Sequence, residues 1–274
     1  MERKGVLVFL LIAFGLAWTG VLIAQLAGAS MENPLVQLPM AFSPAIAAFV
    51  VRRWVTKEGF RDAGLALRLR EAKAYYLLAL FGPVVIVAAM IALAGALGLY
   101  RPDVAPLPGP LSLLGSLGIA VATVPIFFGE EFGWRSYLQQ RVSRRPLRAV
   151  LITGVIWGIW HYPLVFTDYV DYANPLLGIT TWTLHAVLLA IVLAWLFLRS
   201  RSVWVPCVAH AGNNLIIGAV SGALLVDGSG LDPAIVDMLD IVPLAVIAGW
   251  ILLSGQLNRG AALPQASHVE VQAA

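Results

Sequence analysis

"VPIFFGEEFGWRSYL", residues 124–138, sets two adjacent carboxylates and a guanidinium into a run of aromatic and aliphatic side chains. A charge at the centre of a membrane helix costs roughly 3 kcal/mol or more, so it is paired or put to use. The rest of the chain decides whether that setting applies. Of 274 residues, 60% are hydrophobic and 12% charged, against about 25% charged in a soluble domain. The mean hydropathy is +0.85. This is the composition of a polytopic, all-α integral membrane protein. The net charge of +3 is small, and nothing in the sequence points to nucleic-acid binding. One cysteine, Cys207 in an apolar run, excludes an internal disulfide framework and reads as a small buried residue. No repeat of fixed period is present.

Apolar segments of about 20 residues, the length that crosses a bilayer, occur at roughly 5–28, 36–54, 74–99, 111–138, 148–167, 176–198, 203–226 and 234–254. Breaks between them carry Asn33-Pro34, Pro102, Pro106, Pro108, Pro110, Pro146, Asn174-Pro175 and Asp232-Pro233, the chemistry that ends one helix and starts the next. The predicted organisation is helices 1–3 in residues 1–110, a core of helices 4–7 in 111–226, a last helix in 227–254, and a polar, disordered cytoplasmic tail in 255–274. Basic residues test the count. Arg3 and Lys4 precede the first span; Arg52, Arg53, Lys57, Arg61, Arg68, Arg70 and Lys73 fill the second connection; Arg141, Arg144, Arg145 and Arg148 the fourth; Arg199 and Arg201 the sixth. The odd connections hold Arg101 and are otherwise acidic. The positive-inside rule then puts both termini in the cytoplasm of a multi-pass cell-membrane protein. The first apolar run exceeds the roughly 7–15 residues of a cleaved signal core, so a retained first helix is expected.

Ionisable residues within the spans cluster on helices four to eight. At ~1.5 Å per residue, Glu130 lies ~15 Å from the cytoplasmic end, His161 at most ~20 Å and His210 ~14 Å. A shared depth in the cytoplasmic half is expected of one buried site. Glu131 and Arg135 are four residues apart with the acid first, the favourable order for a helical pair, and Glu130 points about 100° away. The reading is that Glu131 and Arg135 compensate each other and Glu130 is left for chemistry. Gly129 and Gly133 form a small-residue face for close helix approach. His210 and Asn214 share a face, with Asn213 as the alternative. His185, on the sixth span, is given a packing or supporting role. Asp237 and Asp240 are expected near the outer end of the last span, in reach of water. Trp134, Trp157 and Trp160 are candidates for a hydrophobic substrate groove.

A buried glutamate, two histidines and an asparagine can hydrolyse an amide in two ways. In one, Glu130 is a general base on water, His210 and Asn214 donate to the oxyanion, and His161 orients the water or protonates the leaving amine. In the other, His161 and His210 bind a divalent metal such as Zn²⁺ that activates the water, with Glu130 as ligand or base. No H-E-x-x-H helix and no G-x-S-x-G elbow is present, and both routes stay open, the cofactor being a divalent metal or none.

The fragments "GEEFGWRSYL", "WGIWHYPLVF" and "SVWVPCVAHAGNN", in that order, resemble the CPBP (Abi) family of CAAX-type and bacteriocin-processing intramembrane proteases. Its E-E-x-x-x-R motif is matched by Glu130, Glu131 and Arg135. F-x-x-x-H is matched by His161 with Trp157 in the aromatic place, and H-x-x-x-N by His210 and Asn214. The resemblance covers about residues 110–216 and implies an eight-helix membrane fold with an endopeptidase site near the cytoplasmic membrane face. The implied partners are membrane lipid and a peptide or protein substrate. The alternative it leaves is a non-proteolytic protein of the same fold, acting in bacteriocin immunity or as a scaffold. A solute transporter is weaker, because no inverted repeat is visible.

Overall fold

Five of the helices begin on the Pro-containing breaks seen in the sequence, at Pro34, Pro110, Pro146, Pro175 and Pro233. Asn33, Asn174 and Asp232 each accept a hydrogen bond from the backbone N–H two residues on, with proline at the first helical position, where its missing N–H costs nothing. In the computed structural model, which describes residues 2–101 and 110–260, eight helices are long and apolar enough to cross a membrane. They are α1 (Glu2–Leu26), α2 (Pro34–Val50, extended by a π turn Val51–Val55), α3 (Lys73–Ala96), α4 (Pro110–Gly133), α5 (Pro146–Trp160), α6 (Pro175–Ser200), α7 (Trp204–Gly212) and α8 (Pro233–Leu253). A π turn, Trp134–Leu138, carries α4 into Gln139–Val142, and a 3₁₀ turn, Tyr162–Phe166, follows α5. Beyond α7 the helix runs on through Asn213–Ile217 and Gly222–Asp227, both π-helical. No strand occurs among the described residues. The fold is an all-α, multi-pass membrane bundle, as the hydropathy pattern requires.

Burial is arranged for lipid. Leu11, Leu26, Val85 and Leu253 face outward, whereas Ala13, Ala17, Ala47 and Ala48 are fully buried. Lipid tails give helices no hydrophobic reason to associate, so close packing through small residues does that work. Gly129 and Gly133 show it directly. A Cβ at Gly129 would fall on the Ala41 carbonyl, and one at Gly133 on Pro44. These two glycines let α4 lie flush on α2 and fix the height of the residues between them.

The alternation of charge along the chain becomes two ends in space. At the basic end the connections converge: Val203 N–H donates to Gly64 O (2.8 Å), and the Trp204 indole to Leu65 O (2.8 Å). Arg52 donates to Asp62 Oδ1 (2.7 Å), Gly59 O (2.9 Å) and Ser136 O (2.8 Å), and Arg141 to Asp62 Oδ2 (2.8 Å). At the acidic end Met31 N–H donates to Asp168 (2.8 Å) and Ala173 N–H to Asp232 (2.8 Å). The tail expected to be disordered from residue 255 instead starts as a short helix, α9 (Gln256–Gly260), because Leu257 finds a buried seat. The remainder of that tail, 261–274, and the proline-rich 102–109 lie outside the described residues.

Candidate active site

The α4 charges divide between two neighbours. Glu131, fully buried, places Oε2 3.1 Å from Arg135 Nε and Oε1 3.0 Å from His210 Nδ1. The helical pair read from the spacing is therefore present, but Glu131 is not closed on Arg135. It also carries His210 of α7, a contact between elements that spacing within α4 could not reveal. A carboxylate accepts, so His210 donates through Nδ1–H and its Nε2 is the nitrogen left for other work. Arg135 lies with its guanidinium carbon 4.8 Å from the Trp157 ring centre. Its contact with Glu131 is an ion pair off the hydrogen-bonding axis, and Nη1 and Nη2, both buried, meet no acceptor among the described residues.

Glu130 turns to α5. The Trp157 indole N–H donates to Glu130 Oε2 (2.7 Å), and Oε1 meets no hydrogen-bond partner among the described residues. Four residues on, His161 sets Nδ1 2.9 Å from the Trp157 carbonyl. A carbonyl only accepts, so Nδ1 carries the proton and Nε2 is the free nitrogen. His161 sits where the α-helix tightens into the 3₁₀ turn. Trp157 thus joins the acid to one histidine by hydrogen bonds and meets the other ring edge-on, its centroid 5.2 Å from His210 and 5.6 Å from His161. The sequence marks Trp157 as the aromatic of the F-x-x-x-H place and as groove lining, and gives no sign of its hydrogen bond to Glu130. The available hint was its position four residues before His161, which puts its carbonyl under that ring.

His161, His210 and Asn214 face a common cavity of ≈ 230 Å³, as do Trp157 and Asn213. Glu130, 7% exposed, stands behind Trp157 and off the cavity wall. Trp134 and Trp160 are buried in the core and do not line the cavity. The structure adds a second wall. His185 of α6 lines the same cavity with its Nδ1 2.8 Å from Asp240 Oδ2. Asp237 accepts from Tyr172 (2.7 Å) and Thr181 (3.0 Å). The expectation that both aspartates reach water fails for Asp240, which is 4% exposed. It lies on the face of α8 turned to α6, and His185 is its partner.

A structural or catalytic zinc takes three or four protein ligands. Among the described residues no three His, Cys, Asp or Glu side chains converge as metal ligands. His161 and His210 supply two imidazole nitrogens, and Glu131 is already engaged by Arg135 and His210. This donor set does not fit a three-ligand zinc centre.

A family model described as type II CAAX prenyl endopeptidase Rce1-like matches residues 110–216, the stretch that holds all three motifs. The curated protein "CAAX prenyl protease 2" of Methanococcus maripaludis is 28% identical over 118 residues, 37% of this chain. The aligned part spans 42% of that relative's length. Residues 110–216, which carry Glu130, Glu131, Arg135, His161, His210 and Asn214, are thus similar to the type II CAAX prenyl endopeptidase Rce1-like domain.

Proposed function

We propose that this protein is an endopeptidase of the CAAX-protease type in the cell membrane, and that it hydrolyses a peptide bond in the cavity bounded by α5, α6, α7 and α8. The observation that carries the reading is the double chain through Trp157 and Glu131. It gives one acid a free oxygen, and it fixes both histidines with Nδ1 engaged and Nε2 available.

The roles follow from those bonds. Glu130 takes a proton from a water that reaches its Oε1 from the cavity past the Trp157 edge, with His161 Nε2 on the cavity side. The hydroxide adds to the scissile carbonyl. Asn214 donates its side-chain N–H to the oxyanion, and His210, held through Nδ1–H by the Glu131 carboxylate, stands beside it on the cavity wall. On collapse the C–N bond breaks, and the proton held by Glu130 passes to the leaving nitrogen, with His161 as the nearest relay. The products are a carboxylate and an amine. No step needs a metal, in keeping with a donor set that does not fit zinc. Arg135 serves as a positioning residue that balances the charge of Glu131.

The test is Glu130→Gln, assayed with a peptide that wild type cuts. The substitution keeps an acceptor for Trp157 but removes the base, so a loss of about 10²–10⁴-fold in rate is expected, with an unchanged unfolding midpoint in detergent. Undiminished cleavage would remove Glu130 from the mechanism. Full biological function without cleavage would favour the immunity or scaffold role.

A further inference from the structure

The connection between α2 and α3 crosses the basic end of the bundle, and its backbone is tied down there. Ala63 O accepts from the Ser136 hydroxyl (2.8 Å), Gly64 O from Val203 N–H (2.8 Å), Leu65 O from the Trp204 indole (2.8 Å) and Leu67 O from the Tyr76 hydroxyl (2.7 Å). The donors come from the end of α4, the turn between α6 and α7, the start of α7 and the start of α3. The segment is therefore a fixed surface and not a loose loop.

That surface mixes two kinds of side chain. Leu65, Leu67 and Leu69 are 42%, 50% and 61% exposed, and Arg68 and Arg70 beside them are exposed as well. The acids of the connection are largely engaged elsewhere: Glu58 and Asp62 pair with Arg52 and Arg141 in the clamp. Glu71 is left to face Arg53, Lys57, Arg61, Arg68, Arg70 and Lys73, all exposed, and none of these six makes an ion pair among the described residues.

The level of the surface follows from its ties. Tyr76, which holds Leu67, lies in the first turn of α3. That helix has 24 residues, ~36 Å at 1.5 Å each, against a hydrocarbon core of about 30 Å. Its first turn thus stands at the edge of the core, where acyl chains give way to headgroups. Leucine is poorly placed in water and guanidinium in hydrocarbon, but this boundary serves both, the apolar part turned to the chains and the charge to the phosphates. A guanidinium fork matches phosphate oxygens two at a time. The positive-inside rule assigns this end to the cytoplasmic leaflet, whose surface is negative.

We propose that residues 65–73 form a binding surface for anionic phospholipid, with Arg68 and Arg70 on the headgroup phosphate and Leu65, Leu67 and Leu69 in the acyl boundary. An acidic protein segment would answer the charge but would leave the leucines uncovered. The proposal does not depend on the peptidase reading.

The test takes the full chain in nanodiscs of phosphatidylcholine, alone or with added phosphatidylglycerol, and reads the thermal unfolding midpoint. A ligand of the folded state raises that midpoint, so phosphatidylglycerol should raise it for wild type. Salt at about 0.5 M, where the Debye length is under about 5 Å, should remove most of the rise. Arg68→Gln/Arg70→Gln should match wild type in phosphatidylcholine and lose most of the rise. Arg144→Gln/Arg145→Gln removes two exposed charges from the fourth connection and should lose less. Leu67→Ser/Leu69→Ser keeps every charge and should also lose part of the rise, which diffuse electrostatics would not produce. No rise in wild type, an undiminished rise in either variant of residues 67–70, or an equal loss in Arg144→Gln/Arg145→Gln overturns the proposal. So does an equal rise in phosphatidylcholine discs from inorganic phosphate or from polyglutamate, which would make the ligand a free anion or an acidic protein.

Discussion

Two arginine–carboxylate clusters lie along α4 and its continuation, and they are finished to different degrees. At the basic end, Arg52 Nη1 meets Asp62 and the Gly59 carbonyl, and Nη2 meets the Ser136 carbonyl. Arg141 closes the same group onto Asp62 and Glu58, both at 2.8 Å. Deeper in the bundle, Arg135 has one off-axis carboxylate and an aromatic face, with both terminal nitrogens unpartnered in a fully buried side chain. Buried polar groups are nearly always satisfied, and exceptions call for a reason. The outer cluster is a clamp that ties the loop after α2 to the end of α4. The inner one keeps unsatisfied donors beside Glu130, Glu131 and His210, an arrangement that costs stability and that a clamp would not need.

The largest effect should come from breaking the inner cluster. Arg135→Leu leaves Glu131 charged and buried without its cation, and removing one partner of such a pair costs about 3–5 kcal/mol. Thermal unfolding in detergent would register it. In the double variant Glu131→Leu/Arg135→Leu most of that stability should return, because an apolar pair of similar volume can replace a buried ion pair at little cost. Cleavage should not return, since His210 Nδ1 loses its acceptor. A double variant that is both stable and active would make the inner cluster a clamp after all, and the contrast with Arg52 would collapse.

The contrast also explains what could be read in advance. Eight spans were legible because 20-residue apolar runs separated by Asn-Pro and Asp-Pro breaks have one reading in a chain this oily. The Glu131–Arg135 pair was legible because four residues make one helical turn, and the tight α4–α2 contact because Gly129 and Gly133 lie on one face. What escaped were contacts between helices. No spacing says that Asp240 of α8 meets His185 of α6, or that Trp157 donates to Glu130.

A smaller effect is expected from the clamp. Arg52→Ala strips the buried Ser136 carbonyl of a donor and frees Asp62 from one of its cations. The Ser136 carbonyl keeps Gln140 Nε2 at 2.7 Å, so what is lost is the guanidinium's own hydrogen bonds, worth about 1.5–3 kcal/mol where a charged group takes part; the unfolding midpoint should fall while the rate of cleavage by the folded protein stays that of wild type. An equal fall in cleavage rate at a temperature where the variant is fully folded would show that the loop clamp also positions the inner site.

The smallest effect tests the clamp by pH. Asp62 lies outside the spans. Partial burial opposes its ionisation, but the hydrogen bond and charge of Arg52, reinforced by Arg141, outweigh it and hold the carboxyl below its usual value of 3.8. A depressed folded-state value means the unfolded chain binds the proton first. The contribution is therefore complete above about pH 3.8 and fades as pH falls through the lower folded-state value. Because the side chain is 42% exposed, solvent screening keeps the gain below about 1 kcal/mol. Comparing wild type with Asp62→Asn across pH 2–7 should give a small, constant difference in unfolding midpoint down to about pH 3.8 that closes below it. A difference that widens on acidification would mean that the charge on Asp62 opposes the clamp, and Arg52 would then owe its place to the Gly59 and Ser136 carbonyls alone.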